Sequence, residues 1–540
     1  MPRRKIPTKA ELIQLQKLYK TDEKIAERLG NVTPQLVAYW RRKKNIPKHS
    51  FPKFSDAEIL ELWERFGDDY RCGLELGLSK AAFYNWRRRY NIKHKPAFLK
   101  LEQLELNLGG PRKQVGKKYH YGQRTIARKI MAERSGREQA EIGERVDIEP
   151  DLAVSHANTV DTIRKFSDLG HSHIWNSSRI VIPLDIRNEI INTDRPGISK
   201  IVRDFIRKQA IRHFYDFGEG ACHQLIIEKG HILPGHFAVG ADTNTAIYGA
   251  IGAMGVGIDS TALAEIWAAG KYSMELPKTI KIIVNGKMSP GVFARDVVQF
   301  IISKLANAGL NGKAIEYYGT TVAQMSISER ITLACLSAAL GVSSAICPFD
   351  SITRRFFTGR TRMPFRPALA DKDAIYDETY ELNIDNLVPQ ISSTDSTGNS
   401  RPVAEVEGLP VSQVIIGSSA NGRFDDLRTA ADIIKGNVIH PDVRLLIVPA
   451  SREVYLEALK KGLVRAFIEA GAVVLNPGSG FTGELAHFCP AKDERCLTTT
   501  DEKSDNSVLE KSAELFHVSP ATAASSAING VITSPTIYIK

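Results

Sequence analysis

The stretch Val443-Arg444-Leu445-Leu446-Ile447-Val448 decides the fold class, because its apolar run has the length and β-branched content of a buried strand. Lys281-Ile282-Ile283-Val284 has the same character, whereas residues 328–340 suit a helix. Strand-like and helical runs alternate along the body of the chain, which predicts an α/β architecture with buried sheets. With 540 residues, 43% of them hydrophobic, the chain exceeds the usual limit of one core, so several domains are expected.

The positive charge is concentrated near the start of the chain. The first 100 residues carry 23 Lys and Arg against 11 Asp and Glu, whereas the remaining 440 carry 49 basic and 50 acidic residues. This asymmetry favours a nucleic-acid-binding segment joined to a neutral body. The chain begins with charged residues, and no apolar run approaches the roughly 20 residues of a membrane span. We therefore expect a cytoplasmic protein without membrane contact.

A sequence pattern recurs within this basic segment. Residues 22–46 contain a short helix, a Leu-Gly turn and a second helix opened by a capping hydroxyl, and residues 72–92 repeat this order. The matching positions are Thr33 with Ser79, Trp40 with Trp86, and Ile46 with Ile92. The pattern predicts two helix-turn-helix units in tandem.

The second helix of such a unit lies in the DNA major groove, with its N-terminal half near bases and its basic end near phosphates. We therefore expect base contacts from Gln35, Tyr39, Lys80 and Tyr84. Phosphate contacts are expected from Arg41, Arg42, Lys43, Arg87, Arg88 and Arg89. Two other interpretations stay open: the segment contacts another protein, or its charges serve only helix C-termini and solubility.

A series of short motifs follows in the body. They are Ser155-His156-Ala157-Asn158-Thr159, Ala221-Cys222-His223-Gln224, Val239-Gly240-Ala241-Asp242-Thr243-Asn244-Thr245, Ile315-Glu316-Tyr317-Tyr318-Gly319, Val448-Pro449-Ala450-Ser451-Arg452-Glu453 and Glu494-Arg495-Cys496. In this order they resemble the large subunit of the aconitase and 3-isopropylmalate dehydratase family, and the resemblance runs from Gln123 to Ser534. It implies an aconitase-like three-layer α/β/α body, and the tandem repeat predicts an all-α N-terminal region before it.

The sequence departs from the family at the residues that hold its iron–sulfur cluster. The three cysteine positions are occupied by Ser419, Ser479 and Thr482. Hydroxyls stay protonated near neutral pH and replace thiolates poorly on iron. Two imidazoles of the family are also replaced, in Asp185-Ile186 and Asp242-Thr243-Asn244, and residues 501–507 lack the arginines that bind substrate carboxylates in relatives. We therefore expect no metal and no cofactor.

Other active-site positions of the family are retained. The resemblance implies catalytic roles for Asp185, His223, Asp242 and Glu316, and substrate-binding roles for His156, Asn158 and Arg452. For Asp185, His223, Asp242 and Glu316, taken one at a time, a satisfied structural group is the favoured interpretation.

The predicted domain order follows from these segments. It is a first helix-turn-helix unit at 1–49, a second at 50–97, a linker at 98–122, an aconitase-like α/β/α region at 123–405 and a C-terminal α/β region at 406–540.

The joint loss of cysteines, imidazoles and arginines beside an added basic repeat favours a protein without catalysis. We expect a catalytically degenerate, DNA-binding regulator that senses a small carboxylic acid. The alternative is a hydro-lyase of the 3-isopropylmalate or homoaconitate dehydratase type, which would act with a separate small subunit and carry a 4Fe–4S cluster. A third interpretation is a scaffold that binds a dehydratase small subunit.

Overall fold

The computed structural model describes residues 6–19, 21–30, 32–47, 54–76, 78–92, 123–137, 140–156, 158–184, 195–361, 363–393, 400–478, 490–500 and 513–539. The chain divides into two compact units, Met1–Tyr119 and His120–Lys540. The predicted linker at 98–122 lies outside the described residues. Among the described helices, none has the length and apolar character needed to cross a membrane.

The first half of the N-terminal unit contains three helices, α1 (Lys9–Tyr19), α2 (Asp22–Leu29) and α3 (Pro34–Lys43). The hydroxyls of Thr21 and Thr33 cap α2 and α3 by accepting hydrogen bonds from backbone N–H groups of the first turn. The buried core consists of Leu12, Ile25, Ala26, Val37, Trp40 and Ile46.

The second half repeats this order with α4 (Asp56–Phe66), α5 (Asp69–Glu75) and α6 (Lys80–Arg89). Ser55 and Glu58 form a capping box at the start of α4, and Ser79 caps α6. The buried core consists of Ile59, Trp63, Cys72, Phe83 and Ile92. Ile46 and Ile92 occupy equivalent buried positions, as the sequence repeat predicts.

The body contains 18 described strands. They are β1 (Arg145–Ile148), β2 (Leu152–Val154), β3 (Ile180–Pro183), β4 (His213–Tyr215), β5 (Phe237–Gly240), β6 (Met254–Gly257), β7 (Tyr272–Glu275), β8 (Thr279–Asn285), β9 (Ala314–Tyr318), β10 (Ser344–Ile346), β11 (Glu378–Asn383), β12 (Gln390–Ser393), β13 (Ser400–Pro402), β14 (Gln413–Gly417), β15 (Arg444–Val448), β16 (Val473–Val474), β17 (Arg495–Thr498) and β18 (Glu514–Val518).

Helices alternate with these strands. They are α7 (Ile126–Arg134), α8 (Thr159–Asp168), α9 (Arg195–Gln209), α10 (Cys222–Glu228), α11 (Ser260–Ala269), α12 (Ala294–Leu305), α13 (Thr320–Gln324), α14 (Ile327–Leu336), α15 (Ser351–Phe357), α16 (Ser418–Asn421), α17 (Phe424–Ile434), α18 (Arg452–Lys460), α19 (Leu463–Glu469) and α20 (Pro520–Asn529), with a 3₁₀ helix at Thr243–Ile251.

The body contains three sheets of four or more strands among its described residues. A five-stranded parallel sheet has the order β4-β3-β2-β5-β6, and a four-stranded parallel sheet has the order β10-β9-β8-β11. A seven-stranded mixed sheet, β13-β12-β18-β17-β14-β15-β16, contains most of the C-terminal strands, and β1 and β7 form a separate antiparallel pair. The predicted α/β class is confirmed.

The segments that decided the fold class lie where the sequence predicts. β15 begins one residue after Val443, and β8 contains Lys281–Val284 within its seven residues. The predicted helix at 328–340 is α14 followed by a short 3₁₀ turn. The predicted boundary after residue 405 stays a prediction, although β12 and β13 precede it and belong to the same sheet as β14–β18.

Candidate active site

A carboxylate and two imidazoles meet at the C-terminal edge of the five-stranded sheet. His156 follows β2 and Asp242 follows β5, the parallel neighbour of β2, whereas His223 is the second residue of α10. Asp242 Oδ2 lies 2.6 Å from His156 Nε2 and 3.3 Å from His223 Nε2. Ligands of α/β proteins commonly bind outside the carboxyl ends of strands. The structure thus brings together His156, His223 and Asp242, which the sequence predicted as separate site residues.

The carboxylate of this cluster is almost completely shielded from water. Asp242 and His223 side chains are 5% and 4% exposed, and that of His156 is 11% exposed. Burial alone would raise the pKa of Asp242, but its electrostatic attraction to and hydrogen bonds with the His156 and His223 rings outweigh burial and hold the pKa well below its usual range. Asp242 is therefore an ionised carboxylate that orients both rings.

Neighbouring groups fix the positions of this cluster. Asp242 Oδ1 accepts a hydrogen bond from the Asn244 backbone N–H at 2.9 Å, which caps the 3₁₀ helix that follows. Asn158, predicted to bind substrate, donates from Nδ2 to the carbonyl oxygen of Ala241 at 3.0 Å. Tyr248 lies with its hydroxyl 3.0 Å from His223 Nδ1. Asn158 therefore supports the backbone beside Asp242, and its substrate role stays a prediction.

A thiol lies beside the two rings. Cys222 precedes His223 on α10, and its Sγ and one ring nitrogen each of His156 and His223 all lie within 4.8 Å of one another. Cys222 is not among the site residues predicted from the sequence. The sequence signal for Cys222 was its position next to the retained His223. That His156, 66 residues earlier, lies close to Cys222 depends on the tertiary structure.

Glu316 occupies a different environment from the cluster. Its Oε1 accepts a hydrogen bond from the Ala127 backbone N–H at 3.0 Å, and its Oε2 accepts from the hydroxyls of Tyr318 and Tyr376 at 3.0 and 2.8 Å. Burial raises the pKa of Glu316, although these hydrogen bonds oppose the shift. The contacts tie β9 to the start of α7. A catalytic role for Glu316 stays a prediction.

Arg452 lies at a backbone contact between two loops. Its guanidinium pairs with Glu219 at 2.7 Å, and its backbone N–H donates to the Glu219 carbonyl oxygen at 2.8 Å. Within this seam, Gly220 and Ser451 form an antiparallel bridge. A Cβ at Gly220 would lie 2.7 Å from the Ala450 carbonyl oxygen, so the close approach requires glycine. The seam holds the loop before α10, which carries Cys222 and His223.

Two buried arginines surround the segment after β14. Arg295 Nη1 donates to Asn421 Oδ1 at 2.9 Å and to the carbonyl oxygen of Thr499 at 2.6 Å. Arg423 Nη1 donates to the carbonyl oxygen of Ser419 at 2.7 Å. Neither arginine is predicted from the sequence as part of the site, because long basic side chains are usually exposed. Only the buried hydrogen bonds show that both arginines hold the segment after β14.

The structure changes the interpretation of two predicted DNA contacts. Arg41 forms a bidentate ion pair with Asp22, at 3.1 and 2.9 Å, and donates to the carbonyl oxygen of Ile46. Arg87 forms the equivalent pair with Asp69, at 2.8 and 3.0 Å. Arg41 thus links α3 to α2, and Arg87 links α6 to α5; their phosphate contacts stay predictions. The other predicted contacts are exposed: Gln35, Tyr39, Arg42, Lys43, Lys80, Tyr84, Arg88 and Arg89.

Comparison with known proteins gives consistent matches along the body. The model of the "Aconitase family (aconitate hydratase)" matches residues 192–407 and 395–530. The "3-isopropylmalate dehydratase large subunit 1" of Methanopyrus kandleri is 38% identical over 419 residues, which are 77% of this chain and 100% of the relative. The "Probable methanogen homoaconitase large subunit" of Methanosarcina mazei is 35% identical over 386 residues, 71% of this chain and 98% of the relative.

A solved structure of aconitase X from Thermococcus kodakaraensis, in its holo-form, aligns with a TM-score of 0.40 and 11% identity. It covers 66% of this chain and 84% of that one. No conclusion about function rests on this alignment.

Two expectations from the sequence are wrong in view of these relatives. A DNA-binding regulator without catalysis is contradicted, because relatives matched over nearly their whole length are named as dehydratase and homoaconitase large subunits. The absence of a cofactor is contradicted too, because dehydratase large subunits of the aconitase family normally carry a 4Fe–4S cluster. Both expectations depended on the replaced cysteines, whereas the body matches dehydratase large subunits continuously over nearly their whole length.

The described donors nevertheless do not fit such a cluster. Ser418 and Ser419, after β14, bring two hydroxyls within 3.4 Å of each other, whereas iron–sulfur clusters are held by thiolates. Ser479 and Thr482, the other two family positions, lie outside the described residues, and so does the predicted catalytic Asp185.

Proposed function

We propose, because this chain belongs to the aconitase family, that it is the large subunit of a hydro-lyase acting on a small hydroxy acid. The observation that carries the proposal is the buried Asp242 carboxylate between His156 and His223, within a body that matches dehydratase large subunits from end to end. A removal of water needs a base for the proton and an acid for the departing hydroxide.

The His156, Asp242 and His223 side chains supply groups suited to both roles, that of the base and that of the acid. Asp242 is ionised and lies between two rings, so it stabilises the positive charge that either ring gains on taking up a proton. His156 has the most exposed side chain of the three, which makes it the proposed contact with the reacting acid. His223 is held by Asp242 on one nitrogen and by Tyr248 on the other, so its proposed role is positioning.

The proposed partner is a separate dehydratase small subunit. The relatives are named large subunits, and the match covers the full length of the relative from Methanopyrus kandleri. We propose that the small subunit completes the site beside His156.

The test is an activity assay of the purified chain mixed with a dehydratase small subunit. 3-Isopropylmalate and homoaconitate are supplied separately: loss of water from 3-isopropylmalate raises the ultraviolet absorbance of the unsaturated acid, and addition of water to homoaconitate lowers it. Asp242→Asn is expected to lower kcat by about 10²- to 10⁴-fold, as for loss of a group that supports proton transfer. The matched control is Asp161→Asn, an exposed acid on α8, which is expected to keep full activity.

Two results would contradict the proposal. One is an absence of turnover of both acids by a folded complex of the two subunits. The other is unchanged turnover in Asp242→Asn, which would place the chemistry elsewhere.

A further inference from the structure

We propose that His156, Cys222 and His223 form a binding site for one divalent first-row transition-metal ion, of which Zn²⁺ is the representative. Their three donor atoms lie within 4.8 Å of one another, and Cys222 and His223 are buried. The three donors are different residues from those at the family's cluster positions, Ser419, Ser479 and Thr482. The inference does not depend on the proposed hydro-lyase activity.

The donor set suits such an ion. Zn²⁺ binds imidazole nitrogen and cysteine thiolate in tetrahedral geometry, and catalytic zinc sites combine three protein ligands with an open fourth position. Zinc–ligand bond lengths imply donor separations of about 3.3 to 3.8 Å, so the three side chains would close by about 1 Å around the ion. One thiolate with two imidazoles gives a mixed set that hard cations such as Mg²⁺ do not favour.

The backbone holds the donors from two sides. His156 lies just beyond β2, in the parallel sheet, and Cys222 and His223 are adjacent on α10. The Ala221 N–H donates to the Ala450 carbonyl oxygen at 2.8 Å, so the chain before Cys222 is tied to the C-terminal part of the body. Ligating side chains that are carried on rigid elements lose little conformational freedom when the ion binds.

A second observation points to a metal site. Histidine ligands usually donate their other ring N–H to a carboxylate, which orients the ring and raises its basicity. Asp242 Oδ2 faces Nε2 of both rings, at 2.6 and 3.3 Å. The Tyr248 hydroxyl, 3.0 Å from His223 Nδ1, is a further partner of the same ring. Binding through His223 would exchange one of these two hydrogen bonds for the ion.

The test uses the purified full chain, treated with a chelator and titrated with Zn²⁺ and, in parallel, with Co²⁺. The expected result is one ion per chain, with a Co²⁺ spectrum that contains a thiolate-to-cobalt band. Cys222→Ser is expected to remove this band, and Asp242→Asn to weaken binding by about 10- to 100-fold. Cys347→Ser is the matched control, since Cys347 is equally buried and lies outside the cluster.

His156→Gln provides a second variant in case Cys222→Ser does not fold, because His156 is the most exposed ligand. It is expected to weaken Co²⁺ binding at least 10-fold. The inference is overturned by a chain that binds no Co²⁺, or by a thiolate-to-cobalt band that persists in Cys222→Ser. None of these readouts uses a substrate, so failure of the proposed activity remains distinguishable.

Discussion

His517 makes the body sensitive to acid. It lies on β18 behind the segment after β14, and its Nδ1 accepts a hydrogen bond from Arg295 Nη2 at 3.2 Å. Burial, together with the positive charge of Arg295, lowers the pKa of His517 from 6.5 to about 3. The ring is therefore neutral in the folded protein, whereas the unfolded chain takes up a proton below about pH 6.5.

The sign and size of the effect follow from proton linkage. Between these two pKa values the unfolded state binds more protons than the folded state, so the free energy of unfolding decreases as the pH falls. The slope is at most about 1.4 kcal/mol per pH unit for one group. From neutral pH to about pH 5, His517 alone is expected to reduce the free energy of unfolding by about 2 kcal/mol.

The assay compares urea unfolding at about pH 7.5 and about pH 5 for the natural chain and for His517→Gln. The glutamine carbonyl can still accept from Arg295, so the variant removes the titration and keeps an acceptor. The loss of stability on acidification is expected to be smaller in the variant by about 2 kcal/mol. His173→Gln, at an exposed position, is the control and is expected to behave like the natural chain. Equal acid sensitivity in the natural chain and His517→Gln would refute the argument.

Three further predictions test local contacts. Arg41→Met is expected to destabilise the N-terminal unit by about 2 to 4 kcal/mol, since it leaves a shielded carboxylate without its partner; circular dichroism melting should show no such loss for the exposed Arg42→Met. Gly417→Ala is expected to lower the free energy of unfolding by several kcal/mol, because Gly417 has φ +142° and an added Cβ would collide with the Val448 carbonyl oxygen. At Gly436 an added Cβ meets no atom, so Gly436→Ala should lower the free energy of unfolding by only about 1 kcal/mol. Glu316→Gln replaces an acceptor of three hydrogen bonds and is expected to lower the free energy of unfolding by about 2 kcal/mol; an unchanged unfolding midpoint would contradict a structural role.

Local sequence patterns were sufficient for the secondary structure. The apolar, β-branched run at 443–448 favours a buried strand, and β15 occupies residues 444–448. Thr33 and Ser79 cap α3 and α6 because a hydroxyl before a helical run accepts an N–H of the first turn. These features depend on neighbours a few residues away, which the sequence displays directly.

The contacts of the site depend on distant partners and were not predictable in this way. Arg41 is indistinguishable in sequence from the exposed Arg42, and only the packing of α2 against α3 brings it to Asp22. Cys222 is inconspicuous until the fold places His156 beside it. The expectation of a DNA-binding regulator without catalysis was wrong for a related reason. The replaced cysteines are a local feature, and they did not determine the function of the body, which matches dehydratase large subunits over its whole length.

The seam between Gly220 and Ser451 has a consequence for how this protein tolerates change. It is made by backbone atoms, so most side-chain substitutions near it leave the contact intact. An inserted or deleted residue in either loop would instead shift the register and carry α10, with Cys222 and His223, away from Asp242. Evolutionary variation at this place should therefore be frequent in residue type, except at Gly220, and rare in loop length.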